Sequence, residues 1–332
     1  MIQIFETKLR KKEEVEYSLF LEETKTEFIP LISFKHSILK FLQSQHIDKR
    51  KWDQMVASDE QLDFFSLSWV QDILHKDWEM LCDEDGNYIL NIPKGSKLGF
   101  SYRLQPFFIR SLHVSSTHQG DLMKIAQFLT SSASYVQLNV DSENQDVFQS
   151  FGKFQILDLS KDLEGIKSNY TTNAKRILKK IPIEFILCET TDVSEFISFF
   201  RKQKGEELSG FTPAVWQRLT NLLEETQLRG MLRIRTIHLN GLLIAAGAFI
   251  SHKGTSYFLK GTATPEGKKL GAMYALIDQE ISSIQETHHT LDFVGSNNEA
   301  IAQFYRKFGA TNKTYSVLKQ NNLPGILKFL KS

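Results

Sequence analysis

The sequence predicts an α+β protein of two domains, each with mixed sheets flanked by helices. Three observations point there. The chain has 332 residues, about two domains at roughly 100–200 residues apiece. Apolar runs of strand length alternate with helical stretches in both halves. Composition shifts near residues 160–168, where a first half with strands in series gives way to a strand meander followed by a long helix. The reading is an N-terminal extension over 1–34, a first domain over 35–163 and a second over 164–332. No sequence repeat relates the halves, and no Pro- or Gly-rich linker parts them, so close packing is expected.

The elements follow in order. From Ile38, ILKFLQSQHI reads as a strand, and Asp48 caps a helix from Lys49 to about Ala57. SLSWVQDIL (66–74) is a second helix. WEMLCD, YILNIP and FSYRLQPFFIRSLHV are aromatic and β-branched, with an Asp85-Gly86 turn among them, so they read as strands. A helix over 121–131 and strands YVQLNV and FQILDL complete the first half. SNYTTNAKRILKK (168–180) reads as one basic helix ending before Pro182, then IEFILCE as a strand and helices near 192–205 and 213–226. MLRIRTIHL, LLIAAGAFI and TSYFLKGTA form a meander, with Asn240-Gly241 a type I′ hairpin signal. A long helix over 268–287, strand TLDFV, a helix over 299–308 and a strand near 314–319 end the chain.

With 41% hydrophobic residues and 25 Phe, the chain has ample apolar surface for a core and is not a disordered one. A net charge of +1 argues against a dedicated duplex-binding protein, which carries a broad basic excess. Cys82 and Cys188 lack metal-ligand spacing and nucleophile motifs, so they read as small hydrophobes and no metal is expected. Charges break the first 20 residues too early for a signal-peptide core. No run approaches the roughly 18 apolar residues of a membrane span. The expectation is a cytoplasmic protein.

Two segments can carry chemistry. The turn GTATPEGKKLGA (261–272) precedes a long helix, so its free N–H groups favour an anion, with Lys268 and Lys269 adding positive charge. The alternative is a solvated helix start whose glycines only permit the turn. In NNEAIAQFYRKFGA (297–310), a helix burying Ala300, Phe304 and Phe308 ends at Gly309. Tyr305 lies one position off that face, where its hydroxyl can protonate a leaving group. A half-buried, satisfied tyrosine is the alternative.

These residues resemble the C-terminal half of a GNAT-fold acyltransferase (the acyl-CoA N-acyltransferase fold), and more closely the FemAB-like branch. YFLKGTATPEGKKLGAMYALID leading to LDFVGS resembles that branch's acyl-donor edge. WDQMV, SLSWVQDIL and GFSYRLQPFFIRSLHV resemble its Trp-rich helix pair and aromatic, Gln-Pro-containing strand. The resemblance covers about residues 38–320. It implies two tandem GNAT-like domains and an acyl- or aminoacyltransferase, with an amine acceptor in the interdomain cleft and the donor along the second-domain helix. The implied donor is acyl-CoA, or alternatively aminoacyl-tRNA. The implied acceptor is a small molecule or cell-envelope precursor.

On this basis Tyr305 protonates the departing group, Lys260 neutralises a phosphate or the developing oxyanion, and Asp292 orients the amine. Exposed-strand and backbone-partner roles are the alternatives for the last two. Lys268, Lys269, Gly271 and Ala272 would hold the donor. Trp69, Trp78, Tyr102, Gln105 and Tyr257 would line the acceptor cleft. Lys175, Arg176, Lys179 and Lys180 form a basic face that suits tRNA phosphate or simply solvent. Three departures stand out: Met273 where the family's phosphate loop ends in a small residue, Tyr305 where tRNA-dependent members commonly carry lysine, and two ordinary helices over 192–230 where those members often carry a long helical arm. A catalytically lapsed ligand-binding module is therefore the second expectation.

Overall fold

The computed structural model describes residues 38–75, 77–142, 150–208, 210–294 and 297–325. The extension expected over 1–34 lies outside them, as do Gly295 and Ser296 of LDFVGS. Strand β1 (Lys40–Gln43) leads to helices α1 (Lys49–Ser58) and α2 (Ser68–Leu74), then β2 (Trp78–Cys82), β3 (Tyr88–Pro93), β4 (Gly95–Lys97) and β5 (Phe100–Leu104). Helix α3 (Leu122–Ser131) and strands β6 (Tyr135–Val140) and β7 (Phe151–Asp158) follow. Helices α4 (Leu163–Ser168) and α5 (Thr172–Leu178), β8 (Ile186–Thr190), α6 (Val193–Lys204) and α7 (Pro213–Leu228) open the second half. The meander is β9 (Leu232–Leu239), β10 (Leu242–His252) and β11 (Thr255–Ala263). Then come α8 (Pro265–Lys269), α9 (Ala272–Ile284), β12 (Thr290–Asp292), α10 (Glu299–Arg306) and β13 (Thr311–Asn321).

Local chemistry sets many of these limits. Asp48 accepts the Lys51 N–H and caps α1 as expected, and Thr212 caps α7, whose first residue is Pro213. Asn240 and Gly241 both have positive φ, 52° and 77°, as a type I′ turn requires.

Three expectations change. The single basic helix over 168–180 is two short ones, because Thr171 Oγ1 accepts the Ala174 N–H and starts α5 afresh. The helix expected from Lys268 is broken at Gly271, whose φ of +78° lies in the left-handed region, so α8 and α9 are separate. The strand expected through FSYRLQPFFIRSLHV stops at Leu104. Pro106 has no N–H for a ladder, and Phe108 sits at φ +74°.

β1–β2–β3 form a small sheet, while the other ten strands run in the order β4-β5-β6-β13-β7-β12-β11-β10-β9-β8. The last strand pairs through Thr311–Ser316 with β7 and through Ser316–Asn321 with β6. β6 and β7 are therefore not neighbours, and the first half's strands do not run in series to its end. Two apolar clusters cover the faces of the second-half strands. Ala248, Ile250, Tyr257 and Leu259 point to the cluster with Trp52, Phe64 and Leu222. Phe249 and Phe258 point the other way, to Ile277, Phe293 and Phe308. Period-two alternation thus gives β11 two functionally different faces.

Candidate active site

β11 and β12 are parallel and pair only over Thr255–Tyr257 and Thr290–Asp292. β12 then ends, whereas β11 runs on to Ala263, so among the described residues β11's edge on the β12 side has no strand beside it beyond Tyr257. A fork opens at Tyr257 and Asp292. The β10–β11 register also slips by one at Leu259, between the pairs Ala248–Lys260 and Phe249–Phe258. Such a bulge locally disrupts the ladder and re-aims side chains.

Tyr305, on α10, touches both prongs of the fork. Its ring stacks on Phe293 at 4.2 Å and meets Phe258 edge-on at 6.2 Å. Burial pushes its hydroxyl up, which keeps it a proton donor. On α10 the buried alanine is Ala302, and Ala300 is exposed. Lys260 lies on the free stretch of β11, its Nζ 5.7 Å from the Phe108 ring centroid. Burial lowers its amine below the usual lysine range.

A cavity of about 580 Å³ lies against the other face of the fork. Asp63, Arg110, His113 and Asp141 come to it from the first half, and His252, Lys253, Tyr257 and Asp292 from the second. Arg110 Nη1 donates to Asp292 Oδ2 at 2.6 Å, and its guanidinium stacks over Phe154 at 3.7 Å. Burial opposes the Arg110 charge, but Asp292, Asp141 and Asp63 outweigh it and hold the guanidinium firmly charged. Asp292 Oδ1 also accepts the Val294 N–H, at a residue with φ +54°. Burial raises the Tyr257 hydroxyl, with Asp63 and Asp292 adding to it.

The sequence-derived residues fall into groups. Tyr257 and Asp292 are register partners at the fork and line the cavity. Tyr305 reaches the same fork from the opposite face. Lys260 stands three residues further along β11. Lys268 and Lys269 are exposed at the end of α8. Gly271 is the N-cap of α9 and Ala272, fully buried, its first residue. A Cβ at Gly271 would lie 2.6 Å from Ile177 Cγ2, so α5 packs directly on this turn. Gly267 is a packing contact, its Cβ position 2.5 Å from the Ile244 carbonyl oxygen.

Trp69, Trp78, Tyr102 and Gln105 do not line the cavity. Trp69 sits between Phe64 and the Arg229 guanidinium, 4.4 Å from its ring. Trp78 is buried, its Nε1 donating to Asp72. Tyr102 lines a separate cavity of about 300 Å³ with Glu79, Lys94 and Arg103. Gln105 bridges the Ile109 carbonyl and the Asn139 N–H. Sequence reasoning passed over Asp63, Arg110, His113 and Asp141. The available signal was Arg110 and His113 inside the apolar run FFIRSLHV, since a buried polar residue is the informative one.

Residues 167–305 match the family model of the acetyltransferase (GNAT) domain. No curated protein matches the chain. Among solved structures, FemX is similar at TM-score 0.64, with 12% identity over 88% of this chain and 100% of that one. A tandem GNAT protein from the clavulanic acid biosynthesis pathway is similar at TM-score 0.52, with 11% identity over 87% and 100%. A C-terminal domain assigned to a lysylphosphatidylglycerol synthetase from Agrobacterium fabrum is similar at TM-score 0.53, with 10% identity over 85% and 94%. Residues 167–305 thus resemble an acetyltransferase (GNAT) domain, and the chain as a whole shares the α+β fold of FemX and of the tandem GNAT protein.

Proposed function

We propose that the protein is an acyl- or aminoacyltransferase that moves an acyl group from a thioester or ester donor to an amine. The donor lies along the free edge of β11, and the acceptor reaches its carbonyl from the cavity. The observation that carries this reading is the fork: the strands part where Tyr257 and Asp292 border the cavity on one face and Tyr305 wedges the other. Holding donor and amine at one point supplies much of the acceleration for such a reaction.

The neutral amine nitrogen attacks the acyl carbonyl carbon, the thiol or hydroxyl leaves with a proton from Tyr305, and the proton lost from the nitrogen returns through water to restore the Tyr305 hydroxyl. Lys260 faces the developing oxyanion. Asp292 is a positioning residue, acting through Arg110. Lys268 and Lys269 meet phosphate of the donor, acyl-CoA or aminoacyl-tRNA, and the basic residues of α5 and its C-terminal end extend that charge. The acceptor is a small molecule or a cell-envelope precursor. We place the domain division at 35–163 and 164–332, with the pairing of β13 with β6 and β7 and of β7 with β12 joining the two into one sheet. Among the described residues, no helix is long and apolar enough to cross a membrane.

Tyr305→Phe keeps the ring stack and removes the acid. It lowers turnover about tenfold or more, within the usual range for general-acid catalysis, with an unchanged melting temperature. Unchanged turnover would remove Tyr305 from the chemistry. A second reading, a lapsed GNAT-like binding module, is favoured by Met273 and by the packing of Ile177 on Gly271. It expects ligand binding without acyl transfer, and any measured turnover excludes it.

A further inference from the structure

The start of β8, the β9–β10 hairpin and the turn around α8 meet at one end of the sheet. Ile186, the first residue of β8, is the register partner of His238 on β9. The residues before Ile186 therefore run beside the Asn240-Gly241 turn. Leu242 follows that turn and pairs with Leu239. Thr264, the N-cap of α8, donates its N–H to the Ile244 carbonyl oxygen, two residues along β10 from Leu242. Beyond α8, Gly271 packs on Ile177 of α5, and the chain runs from α5 through residues 179–185 back into β8.

Three aliphatic side chains stand out into solvent at this end. Ile183 is 96% exposed, Leu242 68% and Ile186 58%. Isolated aliphatic residues are ordinary at a surface, but three on adjoining segments form a patch. The charge around them is basic. Residues 172–186 and 265–270 hold six cations against two carboxylates, Glu184 and Glu266. Lys179, Lys180, Lys268 and Lys269 are exposed, and among the described residues their amines make no hydrogen bond or ion pair. Glu207, whose carboxylate senses the Lys268 charge, is itself paired with Lys204.

We propose that this end of the sheet docks on an anionic lipid bilayer, with Lys179 and Lys180 at the head groups and Ile183 and Leu242 inserted below them. Anionic head groups compensate the unpaired lysines, and aliphatic tips between those lysines enter the boundary with the acyl chains. A nucleic acid would take the lysines but has no use for the aliphatic tips, which carry no ring to stack on a base. The inference goes beyond the transferase reading, in which these lysines only extend the charge offered to a donor. Attachment of this kind is peripheral and needs no spanning helix.

The test is co-sedimentation of the full chain with vesicles of phosphatidylcholine, and of phosphatidylcholine and phosphatidylglycerol in equal parts. The protein should bind the anionic vesicles and not the neutral ones, and added salt should weaken the binding. Reversing both charges, with Lys179→Glu and Lys180→Glu together, should weaken it about tenfold or more. Ile183→Ser leaves the charge untouched, and at 96% exposure it should leave the melting temperature unchanged. It should nevertheless cost about tenfold in vesicle affinity, the share of an inserted aliphatic side chain. No binding to the anionic vesicles, or undiminished binding by Ile183→Ser, would overturn the proposal. Two further results would also overturn it by giving the surface another occupant. One is binding of bulk tRNA, lost on charge reversal, without any vesicle binding. The other is a dimer in size-exclusion chromatography that Ile183→Ser dissociates.

Discussion

His75 and His252 are buried as neutral imidazoles, and burial takes both down to about 4 from an ordinary value of 6.5. Between pH 6.5 and 4 the unfolded chain binds more protons at these sites than the folded one, so their contribution to stability is full above 6.5 and is lost as pH falls toward 4. The melting temperature should drop across that window. His75→Asn and His252→Asn together should flatten the drop, and an equally steep profile in the double variant would reject the assignment. At this scale the sequence was informative where residues stand in one local motif. Tyr257, Lys260, Asp292 and Tyr305 all come from the strand, turn and helix run whose order resembled an acyltransferase. Asp63, Asp141 and the pair Arg110 and His113 were hidden because they come from three separate segments of the chain. Asp292 and Arg110 touch although 182 positions separate them, and no local periodicity encodes such a contact.

The turn between α8 and α9 shows what periodicity hides at the scale of elements. Leu270, Met273 and Ile277 keep helical spacing across Gly271, so a helix running on from Lys268 was the reasonable expectation. A glycine can stand inside a helix or adopt positive φ, and its neighbours do not say which. Only packing does: α5 lies against Gly271 with Ile177 where a side chain would be. Gly271→Ala meets both a backbone at φ +78° and that methyl. It should destabilise the fold by about 1 kcal/mol or more, read as a lowered denaturant midpoint with an unchanged slope. An unaltered midpoint would mean that the turn relaxes freely. The meander was more legible, since the Asn240-Gly241 turn and three apolar runs admit little besides β9–β10–β11.

Across the whole molecule, the α+β class was readable, because strands and helices alternate with clear spacing and the turns carry Gly and Asn. The strand order was not. β13 has 11 residues, long enough to pair with β7 and then β6, and nothing in its own pattern says that it should insert between strands of the other half. That insertion joins ten of the described strands into one sheet. It also brings β7 beside β12, so that Phe154 of β7 backs Arg110 and Arg110 holds Asp292 at the fork. The cavity, drawn from both halves, depends on this arrangement.

The central claim is that a donor binds along the free edge of β11 at the fork. Its most direct test is a thermal-shift titration of the full chain with acetyl-CoA and with bulk aminoacyl-tRNA, using coenzyme A, deacylated tRNA and ATP as controls, repeated on Lys260→Met. The half-buried Lys260 amine has the Phe108 ring as its contact and its charge is disfavoured by burial, so the variant should be about as stable as the parent. One of the two acyl donors should raise the parent's melting temperature, by about 2.7 kcal/mol of stabilisation at 100 times its Kd, and should raise that of Lys260→Met less. No shift from either donor, or an equal shift in Lys260→Met, would contradict the placement of the donor on β11.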